Sequence, residues 1–279
     1  MYKYFQIFVS SVCLVFFAIA GHAETDVQTA EVLMRKSGLW QQLAGLAPQI
    51  RAGFLAAASQ SKASLSPTES ARVTKILDDA YSPDRLRAAS LAVLAKELDP
   101  RRVPALDRWF AESLGQRITK LEEAASNDPS SPEEQILKGS NLLKSLPESR
   151  RAVIAELVKV TRSAELMADL TIETALAVGV GAASVSPGLP SISSKELRMA
   201  FEAQRPQMLV AFHAMTMGGF SLAYTTLSTD ELKNYIRFLK SDAGSHFNAS
   251  SSKAFGAALK AGATELGRRL PGTKDGANT

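Results

Sequence analysis

Apolar residues recur along this chain at intervals of three and four, the spacing of one buried helical face. The clearest case is residues 227–244, LSTDELKNYIRFLKSDAG. There Leu232, Tyr235, Ile236 and Leu239 fall at i, i+3, i+4 and i+7, while Lys233, Asn234, Arg237 and Lys240 take the wet side. Ser228, followed three positions later by Glu231, forms a capping box in which hydroxyl and carboxylate each satisfy a backbone amide. Gly244 stands where a left-handed residue would end the helix. The same periodicity predicts helices over residues 27–36, 67–80, 83–97, 100–114, 116–125, 132–144, 147–162, 164–184, 195–203, 206–226 and 245–270. Ser82 is placed to cap the helix at 83–97, and 164–184 reads as a buried central helix. Another helix begins at Leu39 after Gly38, carries Leu43, Leu46 and Ile50 inward, and is expected to kink or break at Pro48. Residues 59–66 read as a serine-rich link and 185–192 as a loop. No run alternates apolar and polar residues between turns, so the strand signature is missing and the fold class is all-α.

The pattern also repeats. A shift of 129 positions carries Leu227 onto Leu98, Leu232 onto Val103, Arg237 onto Arg108, Phe238 onto Trp109 and Gly244 onto Gly115. Beyond the glycine it pairs Phe247 with Ile118. Ser66 with Glu69 and Ser193 with Glu196 form a second pair of capping boxes, 127 residues apart, each preceded by an alanine-rich helical stretch. A period this long means paired domains rather than a solenoid. The expectation is two related antiparallel helical-bundle domains, 24–126 and 132–270. A linker at 127–131 joins them, inside the polar segment SNDPSS, and a frayed tail occupies 271–279.

The segment RFLKSDAG, residues 237–244, resembles the signature of the domain of unknown function 2059 family, small helical domains of exported bacterial proteins. The resemblance covers about the last fifth of the chain well and the first half loosely. In the first copy the family's serine position reads Glu112 or Ser113, and Leu239 stands where the family carries an aromatic residue. The resemblance implies a location and a helical fold; it implies no reaction and no catalytic residue.

Composition agrees with export. Residues 1–23 read as a signal peptide, with Lys3 at the start, an apolar run over 5–20 and Gly21-His22-Ala23 before the expected cleavage after Ala23. The only cysteine, Cys13, lies inside that run, so the mature chain has no disulfide, no thiol nucleophile and no Cys-ligated metal. No membrane span is expected in the mature chain. The net charge of +4 is small and its arginine pairs are isolated, without the aromatic-interleaved basic stripe of a nucleic-acid binder.

Chemistry is sparse. His213 and His246 remain after export, without HExxH, GxSxG or a Gly-rich phosphate loop. His246, just past the predicted helix stop, reads as a surface residue. Met208, His213, Met215 and Met217 offer copper-like ligand types, but Met215 points away from His213 on a helix, and core filling is the simpler use. Gly218-Gly219 suggests close packing of a neighbouring helix. The carboxylate pairs Glu122-Glu123, Glu133-Glu134 and Asp230-Glu231 read as helix-start or solvated charges. Catalytic, cofactor-binding and metal residues are therefore expected to be none, and no cofactor is implied. The first functional reading is a non-enzymatic, periplasmic interaction protein that docks another envelope protein through an apolar surface. The second is a carrier of a small apolar or lipid ligand in a cavity lined by residues 170–180 and 209–220. The third, a cell-wall hydrolase, requires a cleft with two facing carboxylates.

Overall fold

The computed structural model describes residues 25–60, 66–128, 130–185 and 194–269. The residues read as a signal peptide, most of those read as a serine-rich link, Pro129, residues 186–192 of the expected loop, Ser193 and the expected tail lie outside the described residues. Among the described residues every regular element is helical. The first half holds α1 Val27–Lys36, α2 Leu39–Gln60, α3 Pro67–Ala80, α4 Pro83–Glu97, a 3-10 turn Pro100–Arg102, α5 Val103–Ala111 and α6 Ser113–Ser126. The second holds α7 Pro132–Ser145, α8 Glu148–Thr161, α9 Ser163–Val185, α10 Ser194–Ala223, α11 Thr229–Lys240 and α12 Asp242–Arg269.

The capping boxes Ser66–Glu69 and Ser228–Glu231 form as the spacing requires, each with both reciprocal hydrogen bonds. Gly38 takes φ +78, the left-handed backbone that separates α1 from α2. Ser82 precedes α4 but makes no side-chain capping bond. Neither proline breaks its helix: α2 is continuous through Pro48, and the stretches expected as 195–203 and 206–226 join in one helix through Pro206 that ends at Ala223. Each proline forfeits one intrahelical bond, and ion pairs to a neighbouring helix lie close to both. Beyond Pro48, Arg51 pairs with Asp78 of α3. Around Pro206, Arg198 reaches Glu173 and Arg205 reaches Asp169, both on α9.

Gly244 does not end a helix. The stop falls at Ser241, in extended backbone at φ −66 and ψ 161, whose amide bonds the carbonyls of Arg237 and Phe238. Glu112 ends α5 in the same way, at φ −68 and ψ 148, bonding the carbonyls of Arg108 and Trp109. Three residues past each stop sits a buried glycine, Gly115 or Gly244, in the first turn of the next helix. A Cβ there would overlap the carbonyl oxygen of Trp109 or Phe238 respectively. Both glycines are thus required by close backbone approach rather than by left-handed geometry.

The two tight turns carry their second helices into contact with the other half. One core gathers Leu33 and Met34 of α1, Leu77 of α3, Leu86 and Leu94 of α4 and Leu106 of α5; Phe247, Ala254, Ala258 and Leu266 of α12 complete it. The other gathers Ile154, Leu157 and Val158 of α8 with Leu232, Ile236 and Leu239 of α11, and is completed by Ile118 of α6. Hydrophobic burial therefore crosses the 127–131 linker in both directions. Residues 164–184 form α9, buried at Ala164, Ala168, Ile172 and Leu176 and packed between α10 and α12; α12 in turn packs between α4 and α9. Every fourth residue from 250 to 266, namely Ser250, Ala254, Ala258, Gly262 and Leu266, is buried along it. Small side chains on this row let neighbouring backbones come close: a Cβ on Gly262 would lie 2.5 Å from the Tyr81 ring. Among the described residues no helix is long and apolar enough to cross a membrane.

Of the two adjacent glycines in α10, Gly218 serves close packing, meeting Gly139 of α7 backbone to backbone, whereas Gly219 has open space around it. Gly115→Ala and Gly244→Ala are each expected to lower unfolding free energy by about 3 kcal/mol or more, because rigid backbone must move. Gly219→Ala is expected to raise it by roughly 0.5–1 kcal/mol through helix propensity. Urea unfolding of the three variants checks both directions together.

Candidate functional site

The two turns meet face to face. Trp109 stacks on Phe238, its counterpart 129 positions away, with ring centroids 4.2 Å apart and planes within 5°. Phe110 packs edge-on against Phe238 at 6.3 Å and against Phe247 at 5.4 Å. Reciprocal polar contacts flank this junction. Arg117 of α6 bonds the Thr226 carbonyl and pairs with Glu231 at 2.6 Å, at the start of α11. His246, the residue 129 positions beyond Arg117, accepts a hydrogen bond from the Asp99 amide at 3.1 Å, at the start of the 3-10 turn before α5. Asp99 also binds Arg101 and Arg102, which hold its carboxyl well below the usual range, and Arg102 continues to Asp242 at 2.8 Å. His246 is thus a half-buried helix contact and not the surface residue its position suggested.

Beside the stacked rings lies a pocket of about 160 Å³. Phe110, Ile118, Tyr235, Phe238, Leu239 and Phe247 form its apolar walls, and Ser37, Leu39 and Gln42 at the α1–α2 junction close one side. Its remaining polar residues are Thr119, Glu122, Asn248 and Ser251. Four lining pairs are related by the 129-residue shift: Phe110 and Leu239, Ile118 and Phe247, Thr119 and Asn248, Glu122 and Ser251. The pocket is therefore built where the two matched turns face each other.

Most of its polar groups are occupied. The Ser37 hydroxyl donates to the Met34 carbonyl, the Thr119 hydroxyl to the Lys36 carbonyl and the Asn248 amide to the Thr161 carbonyl. The Ser251 hydroxyl is buried and has no hydrogen-bond partner in the protein. A buried orphan hydroxyl costs about 1–3 kcal/mol; the Ser90 hydroxyl, which lines no part of this pocket, is buried without a partner in the same way.

Glu122 is the other exception. It belongs to no solvated pair, contrary to the reading of Glu122-Glu123: the Tyr224 and Tyr235 hydroxyls both donate to its Oε1, at 2.6 and 2.9 Å. The residue keeps some exposed surface, yet its carboxyl is enclosed, and desolvation pushes its pKa above the ordinary 4.5. The two tyrosine hydrogen bonds oppose that rise without cancelling it, and the charge of Glu123 adds to it. Both tyrosines are in turn pushed well above 10, first by burial and then by the Glu122 charge. Sequence contained one signal for Glu122: it lies four residues after Ile118 on the inner face of α6.

The other candidates do not converge. Met217 is buried in the second core, whereas His213 and Met215 on the same helix are exposed. Among the described residues no group of three or more His, Cys, Asp or Glu could hold a metal ion. Among its described lining residues none comes from 170–180 or 209–220, where a carrier cavity was expected. Among its described lining residues Glu122 is the single carboxylate, so the facing pair of a glycoside hydrolase is not assembled there. A wider, polar depression of about 700 Å³ runs along α3, but Asp78 and Asp79 on its rim are taken by Arg51, Lys75 and Arg269.

Comparison of the chain with family models, curated proteins and solved structures returned no match. The resemblance of residues 237–244 to the domain of unknown function 2059 family stands on those residues alone.

A carboxyl whose folded-state pKa is raised holds its proton longer in the native state than in the unfolded chain. Its contribution to stability is complete below its ordinary pKa and is lost as pH rises through the folded value. The difference in unfolding free energy between the wild-type chain and Glu122→Gln is therefore expected to shift against wild type as pH rises from 4.5 toward neutrality. Paired urea titrations across that window measure the shift, and a difference independent of pH would contradict the assignment.

Proposed function

We propose that this chain is an exported, periplasmic, non-enzymatic binding protein built from two divergent copies of one helical unit, and that it holds a compact ligand in the pocket between them. Three observations support a duplicated origin: the matched turns, the matched glycines and the reciprocal contacts of Arg117 and His246. The single observation that carries the binding reading is the partnerless Ser251 hydroxyl in an aromatic-walled pocket. Ligand sites in general combine such apolar walls with a few convergent polar groups. The volume suits one six-membered ring, since a cavity of about 150 Å³ takes benzene.

A second reading has its own support. Leu137 on α7 and Met199 and Val210 on α10 are exposed by 63%, 63% and 74%. Large apolar side chains in water on neighbouring helices favour docking of another envelope protein, the role first expected from the sequence.

Ring-sized probes such as phenol are expected to bind the full chain with one-to-one stoichiometry and to change the fluorescence of Trp109, which stacks on a pocket wall. Ser251→Leu fills the pocket and is expected to abolish that binding while the helical circular dichroism stays intact. Binding that survives Ser251→Leu, or no saturable binding of any ring-sized probe, would contradict the reading.

A further inference from the structure

Two of the pocket's polar groups differ in kind, and the difference selects a ligand. One is the neutral hydroxyl of Ser251. The other is the carboxyl of Glu122, whose protein hydrogen bonds both fall on Oε1 and leave Oε2 unused by them. Among the described residues no lysine or arginine pairs with Glu122; the titratable groups acting on it are Tyr224, Tyr235 and Glu123, none of them a cation. Elsewhere the chain pairs its carboxylates readily: Glu97, Asp107, Glu156, Asp169 and Glu231 each meet a lysine or arginine within 3.0 Å. The pocket carboxyl has no such partner.

Phe110, Tyr235, Phe238 and Phe247 line the same pocket. Aromatic faces carry negative partial charge and attract cations held within about 6 Å, most strongly in desolvated sites. A carboxyl and several rings around a volume of about 160 Å³ form a place for positive charge with an apolar body. An anion would meet both the carboxyl and the ring faces as repulsion. A neutral alcohol could bond Ser251 but would leave the carboxyl without compensation for its lost hydration.

Resting on the pocket reading above, we infer that the ligand is a compact organic ammonium ion, its N–H donors directed at Glu122 and its apolar part held among the phenylalanine rings. The Tyr224 and Tyr235 hydroxyls then act as positioning groups. By fixing Oε1 from the protein side they orient the carboxyl and leave Oε2 for the ligand.

The test uses three probes of one shape and three charges, benzylammonium, benzyl alcohol and benzoate, titrated calorimetrically into the full chain at pH 7. Benzylammonium is expected to bind at least ten-fold more tightly than benzyl alcohol, and benzoate not to bind. Glu122→Gln, which still accepts from both tyrosines, is expected to reduce benzylammonium to the level of the alcohol and to leave the alcohol unchanged. Equal binding of alcohol and ammonium in the wild-type chain would overturn the charge assignment while leaving the pocket standing. Failure of all three probes would overturn the pocket reading itself. Should Glu122→Gln not fold, the ranking of the three probes on the wild-type chain still decides the matter.

Discussion

The structure depends on one close approach made twice. A helix ends, the chain takes a single extended residue, and the next helix begins so tightly that the carbonyl of Trp109 or Phe238 presses on the Cα of Gly115 or Gly244. No side chain fits there. Because the turn leaves no slack, the direction of α6 and α12 is set by backbone contact rather than by loop length. Each helix is thereby delivered into the core of the other half. The stacking of Trp109 on Phe238 closes the junction, and such pairs contribute about 0.5–1.5 kcal/mol beyond the area they bury.

The pocket follows from that exchange. Where the two matched turns face each other, residues related by the 129-position shift line one pocket: Phe110 and Leu239, Ile118 and Phe247, Glu122 and Ser251. The members of each pair differ, and a carboxyl matched by a hydroxyl makes the lining one-sided in charge. The enclosed carboxyl is costly unless its hydrogen bonds are satisfied, which gives Tyr224 and Tyr235 their places at its back.

Much of the fold was legible in the sequence. The boundaries of α1, α3 and α4 follow directly from periodicity and from Asp, Ser and Pro at their starts. The 129-residue shift also located both turns, because it aligned the two glycines. Sequence misread what those glycines do: a helix-stopping glycine and a close-approach glycine occupy similar places in a pattern, and only packing separates them. Pro48 was read as a kink or break and Pro206 as the start of a new helix because a local rule cannot weigh tertiary contacts such as Arg205 on Asp169. Glu122 was assigned to solvent because charge outweighs position in such a reading, although its spacing from Ile118 places it on the apolar face. The crossing of α12 into the first core was not legible, since no local signal says which of two similar cores a helix will join.

The central claim is that the two cores share helices and cannot melt apart. Two tryptophans report on them separately: Trp40, held between the guanidinium groups of Arg35 and Arg87 beside the first core, and Trp109 at the junction with the second. Urea unfolding of Trp40→Phe and Trp109→Phe chains, each followed by its remaining tryptophan and by far-ultraviolet circular dichroism, measures the cores one at a time. For each chain, fluorescence and circular dichroism are predicted to trace one coincident transition with a common midpoint. A tryptophan signal that changes at a different urea concentration from the helical signal, in either chain, would show two independently folding halves and contradict the account.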